Sequence, residues 1–390
     1  MGGGLMQLAT KGAEDVFLTG DPQITFFKAV YNQHTNFSRE ISQLVPDKPF
    51  LNGSKSKIVI SRNGDLVGNM FIHFTTTQYN NITNRTWGSY INYIDLKIGE
   101  HLIDRQYGEW LDIWHDLTVS NDKVGGYQPN LTTNSNTKSA GTIEMMGNNL
   151  GTFNTESPAS VLIPLQFWFN KTTGFALPLI ALSFAEVSIE INFKQADTDL
   201  NNNTLGGGVT QDEYLIVDYF HLDDYERKIF NEKRIEYLIE QVQFDEDPEL
   251  ISKNGESYIT APFKFNHPVK EIIWTIQKAD KDYITNINSA YFQLNGVNLN
   301  DPLPSMYFTH VEPYKFHTRI PKKGHLFVQS FALRPEEHEP SGSCNFSRID
   351  KSNLKIKPKT AGEIDKINIY ATNYNILSIQ NGRAGLPYGY

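Results

Sequence analysis

VSIEINFK, residues 187–194, alternates with period two: Val187, Ile189, Ile191 and Phe193 point one way, Ser188, Glu190, Asn192 and Lys194 the other. An extended strand with one dry and one wet face separates those two sets, so the segment reads as a half-buried antiparallel strand. Rougher versions of the pattern surround it in ISQLV (41–45), KIVISR (57–62), LVGNMFIHFT (66–75), YIDLKIG (93–99), LIPLQFWF (162–169) and EYLIVDYFHL (213–222). These seven short strands with polar turns between them are about the eight of a jelly roll, two sheets packed so that their apolar sides meet.

One strong helix interrupts the strands. In YGEWLDIWHDLTV (107–119), Trp110, Ile113, Trp114 and Leu117 recur at i, i+3, i+4 and i+7, a single apolar face on which both tryptophans are expected to cover a sheet. Residues 120–160 and NNNTLGGG (201–208) run through Asn, Thr, Gly and Ser with few apolar anchors and read as long loops. DDYERKIFNEKR (223–234) reads as a charged helical connector capped by Asp223, and it marks the domain boundary.

Beyond the connector a second run of strands begins: IEYLIEQVQF (235–244), SYITAPFKF (257–265), VKEIIWTI (269–276), AYFQLNGV (290–297), HLFVQSFAL (325–333), SNLKIK (352–357) and KINIYATNYNILSI (366–379). The second half thus repeats the architecture of the first without a visible sequence repeat. A chain of 390 residues fits two domains of about 150–200 residues, each able to bury an interior. The fold class expected is all-β, with short helices in loops.

Composition excludes several functions. A net charge of −9 and a pI near 5.6 argue against a protein that coats nucleic acid, which needs clustered Lys and Arg to displace counterions from phosphates. The densest basic stretch, KSNLKIKPKT (351–360), reads as a solvated face or a contact between subunits. Cys344 is the single cysteine, so no disulfide forms within the chain, and assembly in the cytosol is expected. MGGGLMQLATKG lacks the charged-then-apolar order of a secretory signal, and no run reaches about 18 apolar residues, so neither secretion nor membrane crossing is expected. Met6 stands where a myristoylation motif needs Ser or Thr.

A search for chemistry returns no enzyme signature. The ten histidines are scattered, with no HExxH and no close pair of metal-ligand spacing. His34 and His338 are expected to make structural hydrogen bonds; beside His338, Glu336 and Glu337 imitate a carboxylate–histidine pair, but Pro335 and Pro340 make a rigid exposed turn the simpler account. Asp197, Asp199 and Asn201 open like a calcium loop, which fails at Asn202 where Gly is needed and at Gly208 where Glu is needed. No GxSxG elbow, P-loop or GxGxxG is present. No catalytic residue, metal or cofactor is therefore expected. Asn-X-Ser/Thr sequons occur at Asn36, Asn52, Asn81, Asn84, Asn130, Asn170, Asn202 and Asn345; Asn81, Asn84, Asn130, Asn170 and Asn202 are kept as candidate glycosylation sites.

Three segments carry a resemblance. LTGDPQITFFKAVYNQHTNFS (18–38), IEYLIEQVQF (235–244) and SFALRPEEHEPSGSCNFSRID (330–350) resemble, in family order, the opening signature, the strand that opens the second domain and the late signature of the major capsid proteins of large nucleocytoplasmic DNA viruses. That resemblance implies a double jelly roll, two eight-stranded antiparallel β-sandwich barrels in tandem. The division it suggests is an N-terminal arm at 1–22, a first jelly roll at 23–222, the helical connector at 223–234 and a second jelly roll at 235–390.

It further implies homotrimeric, pseudo-hexagonal capsomers tiling the icosahedral shell of a double-stranded DNA virus, in the virion after assembly in the host cytoplasm. The long loops are implied to form the outer surface. The arm's apolar patch, Ile24, Phe26, Phe27 and Val30, is the candidate contact beneath the capsomer, with minor capsid or penton proteins or the inner membrane region as partners and no direct nucleic acid. Packing of that patch on its own domain is the competing account. Two other functions stand beside this one: a minor capsid or vertex protein of the same fold, and a carbohydrate-binding jelly roll using Trp87, Trp110, Trp114, Trp168 or Trp274.

Overall fold

The structure is a computed structural model that describes residues 2–51, 53–76, 79–82, 91–120, 143–145, 153–155, 159–194, 211–232, 234–246, 250–252, 257–278, 283–321, 324–360 and 362–389. Most of the expected loop at 120–160 and all of NNNTLGGG lie outside these residues, as do Asp197, Asp199 and Asn201. The chain divides into two compact units, residues 1–36 and 37–390. Residues 1–36 hold the helices Gly3–Ala9 and Val16–Thr19 and the 3-10 turn Ala13–Asp15, none of which buries a residue.

In the larger unit the first half contains β1 (Phe37–Leu44), β2 (Lys55–Val59), β3 (Leu66–Thr76), β4 (Tyr79–Ile82), β5 (Ile91–Ile98) and β6 (His101–Tyr107). It continues with β7 (Ile143–Met145), β8 (Phe153–Thr155), β9 (Ala159–Pro164), β10 (Leu177–Pro178), β11 (Val187–Phe193) and β12 (Gln211–Leu222). The second half contains β13 (Ile235–Glu246), β14 (Ile251–Ser252), β15 (Ile259–Phe263), β16 (Pro268–Gln277), β17 (Ser289–Leu294) and β18 (Val297–Asn298). It ends with β19 (Phe327–Ser330), β20 (Cys344–Asn345), β21 (Ser352–Lys357), β22 (Lys366–Gln380) and β23 (Arg383–Gly385).

Each half is built on two principal sheets, and in the first half β4 and β8 form a further two-stranded sheet. In the first, β1-β12-β3-β9 faces β2-β11-β5-β6; in the second, β13-β22-β16-β19 faces β15-β21-β17-β18, with β14 added at an edge. Number the eight principal strands of each half in chain order, β1, β2, β3, β5, β6, β9, β11, β12 and then β13, β15, β16, β17, β18, β19, β21, β22. Both halves then follow 1-8-3-6 in one sheet and 2-7-4-5 in the other. This is the jelly-roll order twice, a double jelly roll.

The apolar half of the alternation in 187–194 does what its period requires, since Val187, Ile189, Ile191 and Phe193 enter the first core with Ile58, Ile72, Ile94 and Val217 from both sheets; on the other side Glu190 and Asn192 are half-buried and Ser188 is buried. The second core is built around Trp274, whose ring meets Phe292, Phe308 and Phe327 at centroid distances of 5.2–5.5 Å. Gly68 is required by close approach, since a Cβ there would stand 2.6 Å from the Phe220 ring.

Three expectations need correction. LIPLQFWF is not one strand: β9 ends at Pro164 and Trp168–Lys171 is a helical turn. Phe167, Trp168 and Phe169 are all buried, which no alternating strand achieves, and the Asn170 side-chain oxygen accepts the Phe167 N–H to close the turn. AYFQLNGV is a strand and a hairpin turn, because Asn295 and Gly296 both have positive φ (49° and 83°) and return the chain so that Leu294 pairs with Val297. The segment around His338 is a turn with Arg334, Glu337, Glu339 and Pro340 exposed, as expected, but the His338 side chain itself is tucked in, 9% exposed and 3.7 Å from the Phe175 ring between centroids. Glu336 pairs instead with His317.

Candidate functional site

A dense constellation of side chains lies at the junction between the two sandwiches. It begins with the helix Gly108–Thr118, which follows β6. Leu111 turns into the first core, while Trp110, Ile113, Trp114 and Leu117 lie against Val242, Ile273, Val328 and Tyr370 on the outer face of the second half's β13-β22-β16-β19 sheet. The helical spacing seen in the sequence therefore covers a sheet, as expected, but the sheet belongs to the other half. Trp110 stacks on Trp114 at 5.5 Å and lies 5.8 Å from the Tyr370 ring. Because β16 is covered on both faces, PVKEIIWTIQ is buried almost throughout and shows no alternation.

Polar groups lock the same contact. Glu109, in the helix's first turn, accepts hydrogen bonds from the Thr275 hydroxyl (2.9 Å), the Tyr283 hydroxyl (3.0 Å), the Asn368 amide (2.6 Å) and the Tyr370 hydroxyl (2.7 Å). Arg319 donates to the Asp116 carbonyl and carboxylate at 2.7 and 2.6 Å. Asp104 on β6 accepts the Val242 N–H at 3.2 Å, and burial pushes its carboxyl up to about 7. β6 escaped the sequence reading because, of the three residues it buries, Asp104 and Gln106 are polar and Ile103 alone is apolar.

At the far side Glu240 sits between Lys270 (2.5 Å) and Lys171 (2.6 Å), the latter from the first half and 4.2 Å from the Trp114 ring centroid. Burial opposes the Glu240 carboxylate, but the two ammonium groups outweigh it and hold its carboxyl down to about 2. Behind it, fully buried His317 contacts Glu271 at 3.0 Å and Glu336 at 3.1 Å. Burial again opposes charge, and the two carboxylates again prevail, raising His317 to about 9.

With a folded value above the ordinary 6.5, His317 contributes stability that is full below about pH 6.5 and is lost as pH rises through about 9. The thermal midpoint is expected to fall between pH 7 and 10, and His317→Gln to flatten that slope. Equal slopes in both proteins would count against the assignment.

Other expected sites are not gathered here. In the arm unit Ile24, Phe26, Phe27 and Val30 are all exposed, from 72% to 97%. His34 lies 2.7 Å from the adjacent Thr35 carbonyl. Asn170 donates its amide to the Gly68 carbonyl (2.9 Å) and is thereby engaged in the fold. Asn81 lies on β4, and Asn84, Asn130 and Asn202 fall outside the described residues, as does Trp87. Trp110, Trp114, Trp168 and Trp274 are buried, whereas a sugar-stacking platform needs exposed rings. Lysines of the 351–360 stretch lie along β21, where Leu354 and Ile356 face the core. Among the described residues no group of three or more His, Cys, Asp or Glu is arranged to hold a metal ion.

Comparison with known proteins places this geometry. Residues 25–223 match the family model described as "Major capsid protein N-terminus", and residues 226–385 match "Large eukaryotic DNA virus major capsid protein". The chain is 39% identical to the major capsid protein of Pyramimonas orientalis virus and 31% identical to that of Paramecium bursaria Chlorella virus 1, covering 100% of both chains in each case. A quasi-atomic model of the PBCV-1 virus capsid superposes with a TM-score of 0.77 at 27% identity, over 94% of this chain and 100% of that one. Two jelly rolls fused through a buried junction define a capsid-building protein. The chain belongs to the major capsid protein family of large eukaryotic DNA viruses, and it forms the icosahedral shell of the virion.

Proposed function

We propose that three copies of the chain form a pseudo-hexagonal capsomer. The observation that carries this reading is the doubled strand order: one chain presents two sandwiches of the same topology, so three chains present six similar corners to a lattice in which each capsomer has six neighbours. Arm, two sandwiches and connector divide near residues 22, 222 and 234 in this reading.

The exposed arm residues Ile24, Phe26, Phe27 and Val30 supply apolar contacts beneath the capsomer, to minor capsid or penton proteins or to the inner membrane region. Assembly takes place in the host cytoplasm. Light scattering on the purified protein is expected to give a mass near three times 44.4 kDa. A monomer at every concentration tested would overturn the capsomer.

A further inference from the structure

The loop between β19 and β20 is tied at its neck and docked at its tip. Leu333 donates its N–H to the Ser341 carbonyl (3.2 Å) and Arg334 donates its own to the Ser341 hydroxyl (2.9 Å), which closes residues 333–341 into a compact loop. Two groups of the tip turn inward. The Glu337 carbonyl accepts the Lys270 ammonium at 2.8 Å, and the His338 ring lies on Phe175 of the first half. The loop thereby touches both sandwiches at once.

The surroundings of His338 suit an uncharged ring. Its side chain is nine-tenths buried, and neither ring nitrogen has a hydrogen-bond partner in good geometry. The acceptors it faces are the Leu238 carbonyl and Oε1 of Glu240, 3.7 Å from Nδ1. That oxygen already holds Lys270, and Oε2 of the same carboxylate holds Lys171. Behind them His317 lies between Glu271 and Glu336, and on the outside Arg334 pairs with Glu337. Tyr374, whose ring is 5.2 Å from the Lys270 ammonium, stays a neutral phenol because burial raises it. Lys171, Lys270 and His317 thus balance Glu240, Glu271 and Glu336, and the buried cluster is neutral only while His338 is neutral. Burial first, then the two ammonium groups, hold the imidazole below its ordinary 6.5 against the pull of Glu240 and the Leu238 carbonyl.

We propose that His338 is an acid-released latch between the two sandwiches: on taking a proton it leaves the Phe175 face and carries the tip of the 333–341 loop off the junction into solvent, where the charge is hydrated. The neutral ring is the docked form, so docking is full above about pH 6.5 and is lost as the pH falls below it. Release also withdraws the Glu337 carbonyl from Lys270, leaving that ammonium with Glu240 alone. The two sandwiches of a subunit therefore loosen from one another in an acidic medium and stay locked in a neutral one.

The test is hydrogen exchange on the full-length protein from about pH 7.5 to about pH 4.5, each amide's rate being referred to that of an unstructured peptide at the same pH. The amides to follow are those of Leu333, Arg334 and Glu337, hydrogen-bonded within a loop too short to hold them without its docking. In the wild type they are expected to lose about tenfold or more of their protection across that range, while β16 and β22 keep theirs. His338→Phe keeps a ring on Phe175 and takes no proton, and its loop is expected to hold its protection within about twofold. His338→Gln, also uncharged throughout, is read in the same way if the phenylalanine variant does not fold. Lys171→Met removes one of the two ammonium groups, and the acid loss is expected to shrink. Wild-type loop protection that does not change with pH, a loss spread evenly over the whole chain, or an undiminished loss in the His338 variants each overturns the latch. None of these results bears on the capsomer, since the latch lies within a single chain.

Discussion

Glu240→Ala is expected to lower the stability of the chain by about 3–5 kcal/mol, the range for breaking a buried ion pair from one side. The substitution leaves Lys270, whose side chain is 1% exposed, beside Lys171 with no carboxylate between them. Lys270 keeps its hydrogen bond to the Glu337 carbonyl (2.8 Å), but without its counter-ion that one bond replaces only part of the hydration it loses. Lys171→Ala is expected to cost less, because its side chain is 18% exposed and Glu240 keeps Lys270. Glu240→Leu combined with Lys270→Met is expected to recover most of the loss, since an apolar pair of similar volume needs no hydration to be replaced. Thermal unfolding at one fixed protein concentration measures all four proteins comparably, because association adds to apparent stability. A loss below about 1 kcal/mol for Glu240→Ala would mean that water reaches Lys270.

Trp110→Ala is expected to cost a similar amount, about 3–5 kcal/mol, by opening a cavity where a large ring is now 2% exposed. Its consequence is of a different kind. Trp110 links Trp114 to Tyr370 across the junction, so its removal is expected to split one thermal transition into two as the sandwiches unfold separately. Trp274→Ala serves as the comparison. That ring lies within the second core among Phe292, Phe308 and Phe327, and its loss is expected to lower the second sandwich while leaving the helix Gly108–Thr118 seated. A single transition in Trp110→Ala, merely shifted, would show that the polar contacts of Glu109 and Arg319 suffice for coupling.

The candidate surfaces were less legible in the sequence than the fold. The exposed arm residues Ile24, Phe26, Phe27 and Val30 stand out because apolar residues outside any periodic pattern are conspicuous in sequence. The junction is not conspicuous. Glu109, Asp116, Glu240 and Arg319 read in sequence as ordinary surface charges, and their partners lie at sequence separations of 30 to 261 residues. At His338 the prolines on either side describe the exposed turn, whereas the covering of the imidazole itself comes from Phe175, a residue of the other half.

By itself the sequence determined the strands wherever apolar residues recur at every second position, as in 187–194, and the helices wherever they recur every three or four positions, as in 110–117. Those are local periods, set by backbone geometry within a few residues. Only the tertiary structure decided which sheet the Trp110 face covers, that β16 is dry on both sides, and that strand order 1-8-3-6 and 2-7-4-5 occurs twice. Strand pairing and the cancellation of buried charge arise between segments far apart in the chain, and no local period encodes which distant partner will be met.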